Sequence, residues 1–222
     1  GSLAAQASRT MELLWWRMQA VRDVRLNRLP QAVRDLRAAS ATRHASQQDP
    51  EARGMRAALV LRDNVRNRSR IEKAYRRAIG AARHDIIIAS AYFMPGGKLR
   101  RALILAAKRG VRVQLLLQGR YEYFMQYHAA RPVYGALLAA GVEIHEYEPS
   151  FLHAKVAVID AHGDKPWATV GSSNLDPLSL LLAREANVVV QDAHFAAVLR
   201  GRLVQAMAQE SRGVDAADYA NR

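Results

Sequence analysis

The sequence contains no cysteine, and this absence excludes three kinds of chemistry at once. The chain can form neither disulfides nor thiolate zinc sites, and it has no cysteine nucleophile. Long apolar runs are also missing. The stretch 178–182 is apolar, but Arg184 and Glu185 follow it, well short of the ~18 residues that a membrane-spanning helix needs. Any contact with a membrane is therefore expected to be peripheral.

Acidic residues are in short supply, with 20 Asp and Glu against 33 Lys and Arg, which gives a net charge of +13. Residues 1–84 hold 18 basic and 7 acidic side chains, so most of the excess lies in the first part of the chain. Such asymmetry is typical of a protein whose partner carries phosphate, either lipid or nucleic acid. A solvated, arginine-rich face explains it equally well. Because 50% of the 222 residues are hydrophobic, we expect a folded protein with a real core.

The chain divides into three parts by composition. Residues 11–39 have amphipathic helical character that Pro30 interrupts, and residues 40–54 are polar without an apolar period. We therefore predict a helical and linker segment at 1–54, a main domain at 55–212 and a tail at 213–222. The start Gly1-Ser2, without an initiator methionine, is typical of a fragment, and we expect further sequence upstream.

Helical and strand patterns alternate after the linker. The periodicity predicts a helix over 69–83, opened by a capping box at Ser69, and a helix that stops at Gly110. A third helix is predicted to begin at Pro132 and to stop at Gly141. Strands are predicted at 85–93, 111–118 and 142–147. These repeated units predict the α/β fold class, with a mainly parallel or mixed sheet flanked by helices.

One segment contains residues suited to phosphate chemistry. His153 and Lys155 stand two apart at the start of an apolar strand, so their side chains share a face. An imidazole beside a buried ammonium is a poor pair unless an anion lies between them. Lys155 would hold a phosphate as a point charge, and His153 would attack phosphorus or move a proton near neutral pH.

A second segment supplies neutral donors and a carboxylate. Gly171 permits close approach of the backbone, and Ser172 and Asn174 can donate hydrogen bonds to phosphate oxygens. Glu185, thirteen residues beyond Ser172, is the candidate partner for the second nitrogen of His153.

Asp160 completes a His-x-Lys-x4-Asp pattern, but five residues of strand place it on the opposite face from Lys155. We interpret Asp160, like Gly171, as a structural residue that supports the site without contacting substrate. Residues 161–166 are predicted to form an enlarged hairpin loop.

Together, the His153, Lys155 and Asp160 pattern and the Gly171-Ser172-x-Asn174 pattern resemble the HKD signature of the phospholipase D superfamily. The resemblance covers roughly residues 56–210. The stretches 172–180, 185–188, 91–95 and 115–119 are similar to bacterial cardiolipin synthases, and more specifically to their C-terminal half. The resemblance implies one αβα half of the superfamily fold. It also implies phosphoryl transfer through a phosphohistidine, without metal or cofactor.

The superfamily builds one active site from two HKD motifs, whereas this chain has one. The resemblance therefore implies a second half, either upstream in the same protein, with 1–54 as its remnant or connector, or in a second copy of the chain. It makes His153 the general acid and base. It implies transfer of a phosphatidyl group from phosphatidylglycerol, an anionic phospholipid, at the periphery of the bacterial cytoplasmic membrane.

Two rival functions remain open at this point. A symmetric dimer with one motif per chain would act as a phosphodiesterase or nuclease, although nucleic acid is the less expected partner because the excess charge lies outside the catalytic part. A membrane-binding or partner-binding module with an incomplete site is the non-enzymatic rival. The aromatic cluster at 121–127 either borders a lipid-entry groove or packs as core.

Overall fold

The computed structural model describes residues 2–26, 28, 30–35, 37, 55–63, 67–120, 133–176 and 184–219. The chain forms two compact units, Gly1–Gly54 and Met55–Arg222. The first unit contains helix α1 (Ser2–Arg25) and a helical segment at 30–35 that includes Pro30. A cleft of about 690 Å³ lies wholly within this unit and is lined by tryptophan, arginine and buried aspartate side chains, among them Trp16, Asp23, Arg34 and Asp35.

An eight-stranded sheet forms the centre of the second unit. Its strands are β1 (Arg56–Arg62), β2 (Asp85–Ser90), β3 (Arg112–Gln118), β4 (Glu143–Tyr147), β5 (Lys155–Ile159), β6 (Trp167–Gly171), β7 (Glu185–Gln191) and β8 (Ser211–Gly213). The order across the sheet is β1-β7-β6-β5-β2-β3-β4-β8. Among the described strands, β2, β3 and β4 are parallel and every other pairing is antiparallel. The sheet is therefore mixed, and parallel pairing is confined to the part with helical crossovers.

Helices cover both faces of this sheet. Helices α2 (Arg70–Ala81) and α3 (Gly97–Lys108) and a helical segment at 133–138 bury their apolar sides on one face. Helix α4 (Ala193–Glu210) covers the other face and begins at Asp192, whose carboxylate caps it by accepting from the Phe195 N–H at 2.8 Å. A 3₁₀ turn at Ala216–Tyr219 follows β8. The layered α/β architecture expected from the sequence is confirmed.

The repeated helix stops at Gly110 and Gly141 are confirmed in detail. Both glycines have positive φ, 88° and 85°. The N–H of the valine after each glycine donates to a carbonyl five residues earlier, which is the hydrogen bond of a Schellman motif. The prediction of a capping box at Ser69 is wrong. Ser69 has φ −120° and ψ 13°, and its hydroxyl makes no cap hydrogen bond.

Residues assigned to a tail contribute to the sheet instead. Strand β8 pairs with β4, and the Val214 N–H donates to the Ile144 carbonyl at 2.9 Å. Tyr219 packs against Tyr134, with ring centroids 5.8 Å apart. Val214 and Tyr219 therefore pack against the domain, and β8 is the border strand of the sheet next to β4.

Candidate active site at one edge of the sheet

The topology brings the predicted site segments to one edge. Strand β5 runs antiparallel to β2 and to β6, and β7 runs antiparallel to β6. The start of β5, the end of β6 and the start of β7 therefore lie beside the end of β2. The segments around His153, Ser172 and Glu185 meet there, although up to 32 residues of chain separate them.

His153 and Lys155 are in direct contact. The Lys155 Nζ lies 2.9 Å from the His153 Nε2, with the lysine side chain buried (8% exposed) and the histidine exposed. Because an ammonium donates only, we assign the lone pair to Nε2 and the ring proton to Nδ1. Burial lowers the pKa of Lys155 below its ordinary value, and the charge of Glu185 opposes that shift. The pair places an imidazole nitrogen against a desolvated cation.

Two hydrogen bonds fix the segment that carries His153. The Leu152 N–H donates to the Gln118 side-chain oxygen at 3.0 Å, and the Ala91 N–H donates to the Ala154 carbonyl at 3.0 Å. Gln118 ends β3, and Ala91 follows β2. The chain near the ends of two central strands thus fixes the residues immediately before and after His153.

The chain after β2 crosses the start of β5. Phe93 forms a parallel bridge with Leu175, and the Met94 N–H donates to the Leu175 carbonyl at 2.9 Å. Because Leu175 follows β6, on the far side of β5 from β2, residues 91–94 pass in front of the start of β5. We call residues 91–94 the crossing segment. It connects the His153 side of the site with the Ser172–Asn174 side.

Ser172 and Glu185 form a closed hydrogen-bond arrangement. The Ser172 hydroxyl donates to a Glu185 carboxylate oxygen and accepts from the Ala186 N–H at 3.1 Å. The Ser172 N–H donates to the Ala186 carbonyl at 3.0 Å. The expected hydrogen bond between Glu185 and His153 is not formed among the described residues. Glu185 instead orients Ser172 and contributes negative charge near Lys155.

Gly171 is required by a neighbouring side chain. A Cβ atom at this position would overlap the Asn187 carboxamide and lie 2.5 Å from the Ala186 carbonyl oxygen. Asn187 is buried (1% exposed), donates to Thr169 Oγ1 at 3.3 Å and accepts from the Ser173 N–H at 3.4 Å. Asn187 thus holds the turn that carries the serine and asparagine of the site. Asn187 was not among the predicted site residues, although a polar residue directly before three valines indicates a buried polar contact within a strand.

Asn174 has an unusual side chain. It is half-buried, and its Oδ1 is shielded from solvent and has no hydrogen-bond partner in the described part of the chain. A carboxamide buried without partners is unfavourable unless a ligand completes its hydrogen bonds. After rotation by 180°, the amide would direct its NH₂ group to the same place.

Asp160 lies at the other end of β5 from Lys155. Its carboxylate accepts from the N–H groups of Arg83, His84 and Asp85 at 2.8, 2.8 and 3.1 Å, and its own φ is 49°. It therefore anchors the connection between α2 and β2. The hairpin at 161–166 also lies at that end and joins the antiparallel strands β5 and β6.

Arg62 lies next to the site and was not predicted from the sequence. It ends β1 directly opposite Glu185 in the antiparallel register, and it is buried. Burial lowers the pKa of its guanidinium and the charge of Glu185 opposes that shift. Nothing in an arginine-rich sequence distinguishes this arginine from the others, because its place opposite Glu185 depends on long-range strand pairing.

Comparison with known protein families gives a match across most of the second unit. The family described as "Cardiolipin synthase, PLD-like domain" matches residues 75–207, which include every candidate site residue. The chain belongs to this family. Cardiolipin synthase B of Escherichia coli K12 is 43% identical over 172 residues, which cover 78% of this chain and 41% of that protein. A probable cardiolipin synthase of Bacillus subtilis is 36% identical over 137 residues, or 62% of this chain and 26% of that one.

Solved structures share the cardiolipin synthase PLD-like fold at low sequence identity. Phosphatidylserine synthase of Haemophilus influenzae has a TM-score of 0.60 at 10% identity, with 86% of this chain and 49% of that one covered. The phospholipase D family member NUC of Salmonella typhimurium has a TM-score of 0.58 at 18% identity, with 72% and 99% covered. The chain spans less than half the length of the curated relatives named here.

Two further findings concern the described residues alone. No helix there is long and apolar enough to cross a membrane. No group of three or more His, Asp or Glu residues there is placed to hold a metal ion. The predicted aromatic cluster at 121–127 lies outside the described residues.

Proposed function

We propose that this chain is one catalytic half of a cardiolipin synthase, transferring a phosphatidyl group from phosphatidylglycerol to the hydroxyl of a second lipid. The observation that carries this proposal is the 2.9 Å contact between His153 Nε2 and the buried Lys155 Nζ, at the same edge as Ser172 and Asn174. Membership of the cardiolipin synthase PLD-like family supports lipid as the substrate class.

The residues suit a two-step exchange. A histidine Nε2 attacks the phosphorus of the donor, the bond from phosphorus to the glycerol oxygen breaks, and the glycerol leaves with one proton. The acceptor hydroxyl then attacks phosphorus, loses its proton, and the phosphorus–nitrogen bond breaks. Bonds and protons balance without a redox step, so the cycle needs positioning, proton transfer and anion stabilisation.

Each side chain has a role in this scheme. Lys155 and Asn174 hold the non-bridging phosphate oxygens, and Ser172, oriented by Glu185, donates a further hydrogen bond. His153 is the general acid and base of the pair, as the resemblance implies, and the nucleophile is the histidine of the other motif, the one that a single copy of this chain lacks. That motif lies elsewhere in the same protein or in a second copy of this chain. Asp160 and Gly171 support the site.

The test is phosphatidyl transfer in the natural protein that carries this chain. Vesicles of labelled phosphatidylglycerol are incubated with the wild type and with His153→Ala, and labelled cardiolipin is measured. We expect the variant to lose at least about 10²-fold in rate, because general acid and base catalysis contributes that much. His162→Ala, an exposed histidine in the hairpin at the other end of the sheet, is the matched control and retains its rate.

Transfer that survives His153→Ala would overturn the assignment. A parallel incubation with DNA tests the phosphodiesterase alternative. Cleavage of DNA that depends on His153, without formation of cardiolipin, would replace the proposed function with that alternative. The molar mass in solution, measured by light scattering, distinguishes a second half in one chain from a second copy.

A further inference from the structure

The site edge carries two exposed aromatic side chains. Among the described residues of the second unit, the exposed large hydrophobic residues include two aromatics, Tyr92 (38% exposed) and Phe151 (55% exposed). Phe151 stands two residues before His153, and Tyr92 belongs to the crossing segment that passes the start of β5. Both aromatics therefore flank the exposed histidine.

Tyr92 is exposed from a backbone that is fixed on both sides. Its carbonyl accepts from the Ser90 hydroxyl at 2.8 Å, and the residues around it hydrogen bond to Ala154 and Leu175. The next residue, Phe93, is buried in the core. A side chain held out from a rigid backbone loses little conformational entropy on binding, which suits an anchor.

Phe151 has comparable support. The Leu152 N–H is fixed by Gln118, so the chain just before His153 has a defined path, yet the phenyl ring remains in solvent. Exposing a ring of this size forgoes the stabilisation that burial would give. Its place beside the catalytic pair, and not at the opposite edge, indicates that a ligand covers it.

We propose that Tyr92 and Phe151 form an apolar rim that inserts into the lipid surface around the bound headgroup. This inference rests on the proposed function and names how the same site meets its substrate. The phosphate of a donor lipid lies at the membrane interface, with the acyl chains directed away from water. Cationic Lys155 binds the anionic phosphate, and the two rings occupy the adjoining apolar layer, where aromatic side chains are favoured.

The experiment uses the absence of cysteine from the chain. In this chain, Phe151→Cys and Tyr92→Cys each introduce a single thiol, which is labelled with a polarity-sensitive fluorophore. Vesicles of phosphatidylglycerol are then added, with and without a quencher attached to the acyl chains. We expect the emission of both labels to shift to the blue and to be quenched from the acyl region.

Leu105→Cys is the matched control. Leu105 is similarly exposed (46%) but lies near the end of α3, toward the opposite edge of the sheet. Its label is expected to keep its emission in water. Sedimentation with the vesicles shows in every case how much protein is bound. As a second measure, Phe151→Asn is expected to lower vesicle affinity by about tenfold, because it removes a buried aromatic contact.

Three results would overturn the rim. Labels at 151 and 92 that stay in water while the protein sediments with vesicles would contradict it. So would failure of the protein to bind vesicles at all. Labels that are shielded before lipid is added, in a manner that depends on protein concentration, would assign the rings to a protein interface. Phosphatidyl transfer is measured alongside on the natural protein that carries this chain. If transfer occurs but the labels do not insert, the rim alone is rejected. If the labels insert but no transfer that requires His153 is measured, the proposed function alone is rejected.

Discussion

The two ends of strand β5 have opposite chemistry, although a single sequence motif spans both. At one end, Lys155 is buried beside an exposed histidine, and its pKa is lowered by burial. At the other end, Asp160 accepts three backbone hydrogen bonds, and Asp85, one of its donors, also receives the Arg200 guanidinium at 2.5 Å. The Lys155 ammonium at the first end has a neutral histidine as its hydrogen-bond partner and can still bind an anion. The Asp160 carboxylate at the second end has its hydrogen bonds filled within the domain. The strand thus separates a reactive edge from a structural edge.

Replacing Lys155 tests this contrast most strongly. Lys155→Met should lower phosphatidyl transfer by about 10²- to 10³-fold, because one stabilising donor to the phosphate is lost. The midpoint of thermal unfolding should stay the same or rise, since a desolvated ammonium is replaced by an apolar side chain of similar length. Transfer assays and calorimetry on the same preparation measure both. A large fall in stability would contradict the separation of the two edges.

The reverse result is expected for Asp160. Asp160→Ala leaves three N–H groups without their acceptor and places alanine at a φ of 49°, so the free energy of unfolding should fall by about 2–3 kcal/mol. Asp160→Asn retains acceptor oxygen and tolerates that φ, and it should lose about 1 kcal/mol. Urea unfolding measures both variants against Asp164→Ala, an exposed hairpin control. Transfer per folded molecule should be unchanged in all three.

Gly171 tests whether the reactive edge depends on close packing. Gly171→Ala should cost about 1–3 kcal/mol and reduce transfer, because the new methyl group displaces Asn187 and the turn it holds. Adding Asn187→Ala removes one of the two clashes, so the double variant should cost less than the sum of the single variants. Strictly additive unfolding energies would show that the two positions do not interact.

The smallest effect is expected at Glu143, at the structural edge. Hydrogen bonds from Arg112 lower the pKa of this carboxyl below its ordinary value of 4.5. The stability it contributes is therefore present above that value and is lost as pH falls through the lower pKa of the folded state. Because the pair is largely exposed, Glu143→Gln should cost less than about 1 kcal/mol at neutral pH. Urea unfolding from pH 7 to 3 should show the difference from wild type disappearing on the acid side.

Local signals predicted much of the framework. The two glycine stops, the position of α2 and the shared face of His153 and Lys155 follow from periodicity and from backbone conformation, which neighbouring residues determine. The pairing direction of β5 to β7 was less accessible, because apolar runs do not reveal the direction of a partner strand. The hydrogen bonds of Gln118 to Leu152 and of Asn187 to Ser173 join distant parts of the chain, and no local pattern specifies them.

The crossing segment has a consequence for the order in which the domain folds. Its bridge joins Phe93 to Leu175, 82 residues apart in the chain, whereas the parallel β2–β3 and β3–β4 pairs join residues that are 27 and 29 apart. Loop closure makes contacts between distant residues slow to form. The parallel strands and their helices are therefore expected to assemble first, with the reactive edge completed last. The amide proton of Met94, bonded to Leu175, should accordingly exchange with solvent sooner than those of the central strands, and it would report the integrity of the site separately from that of the domain.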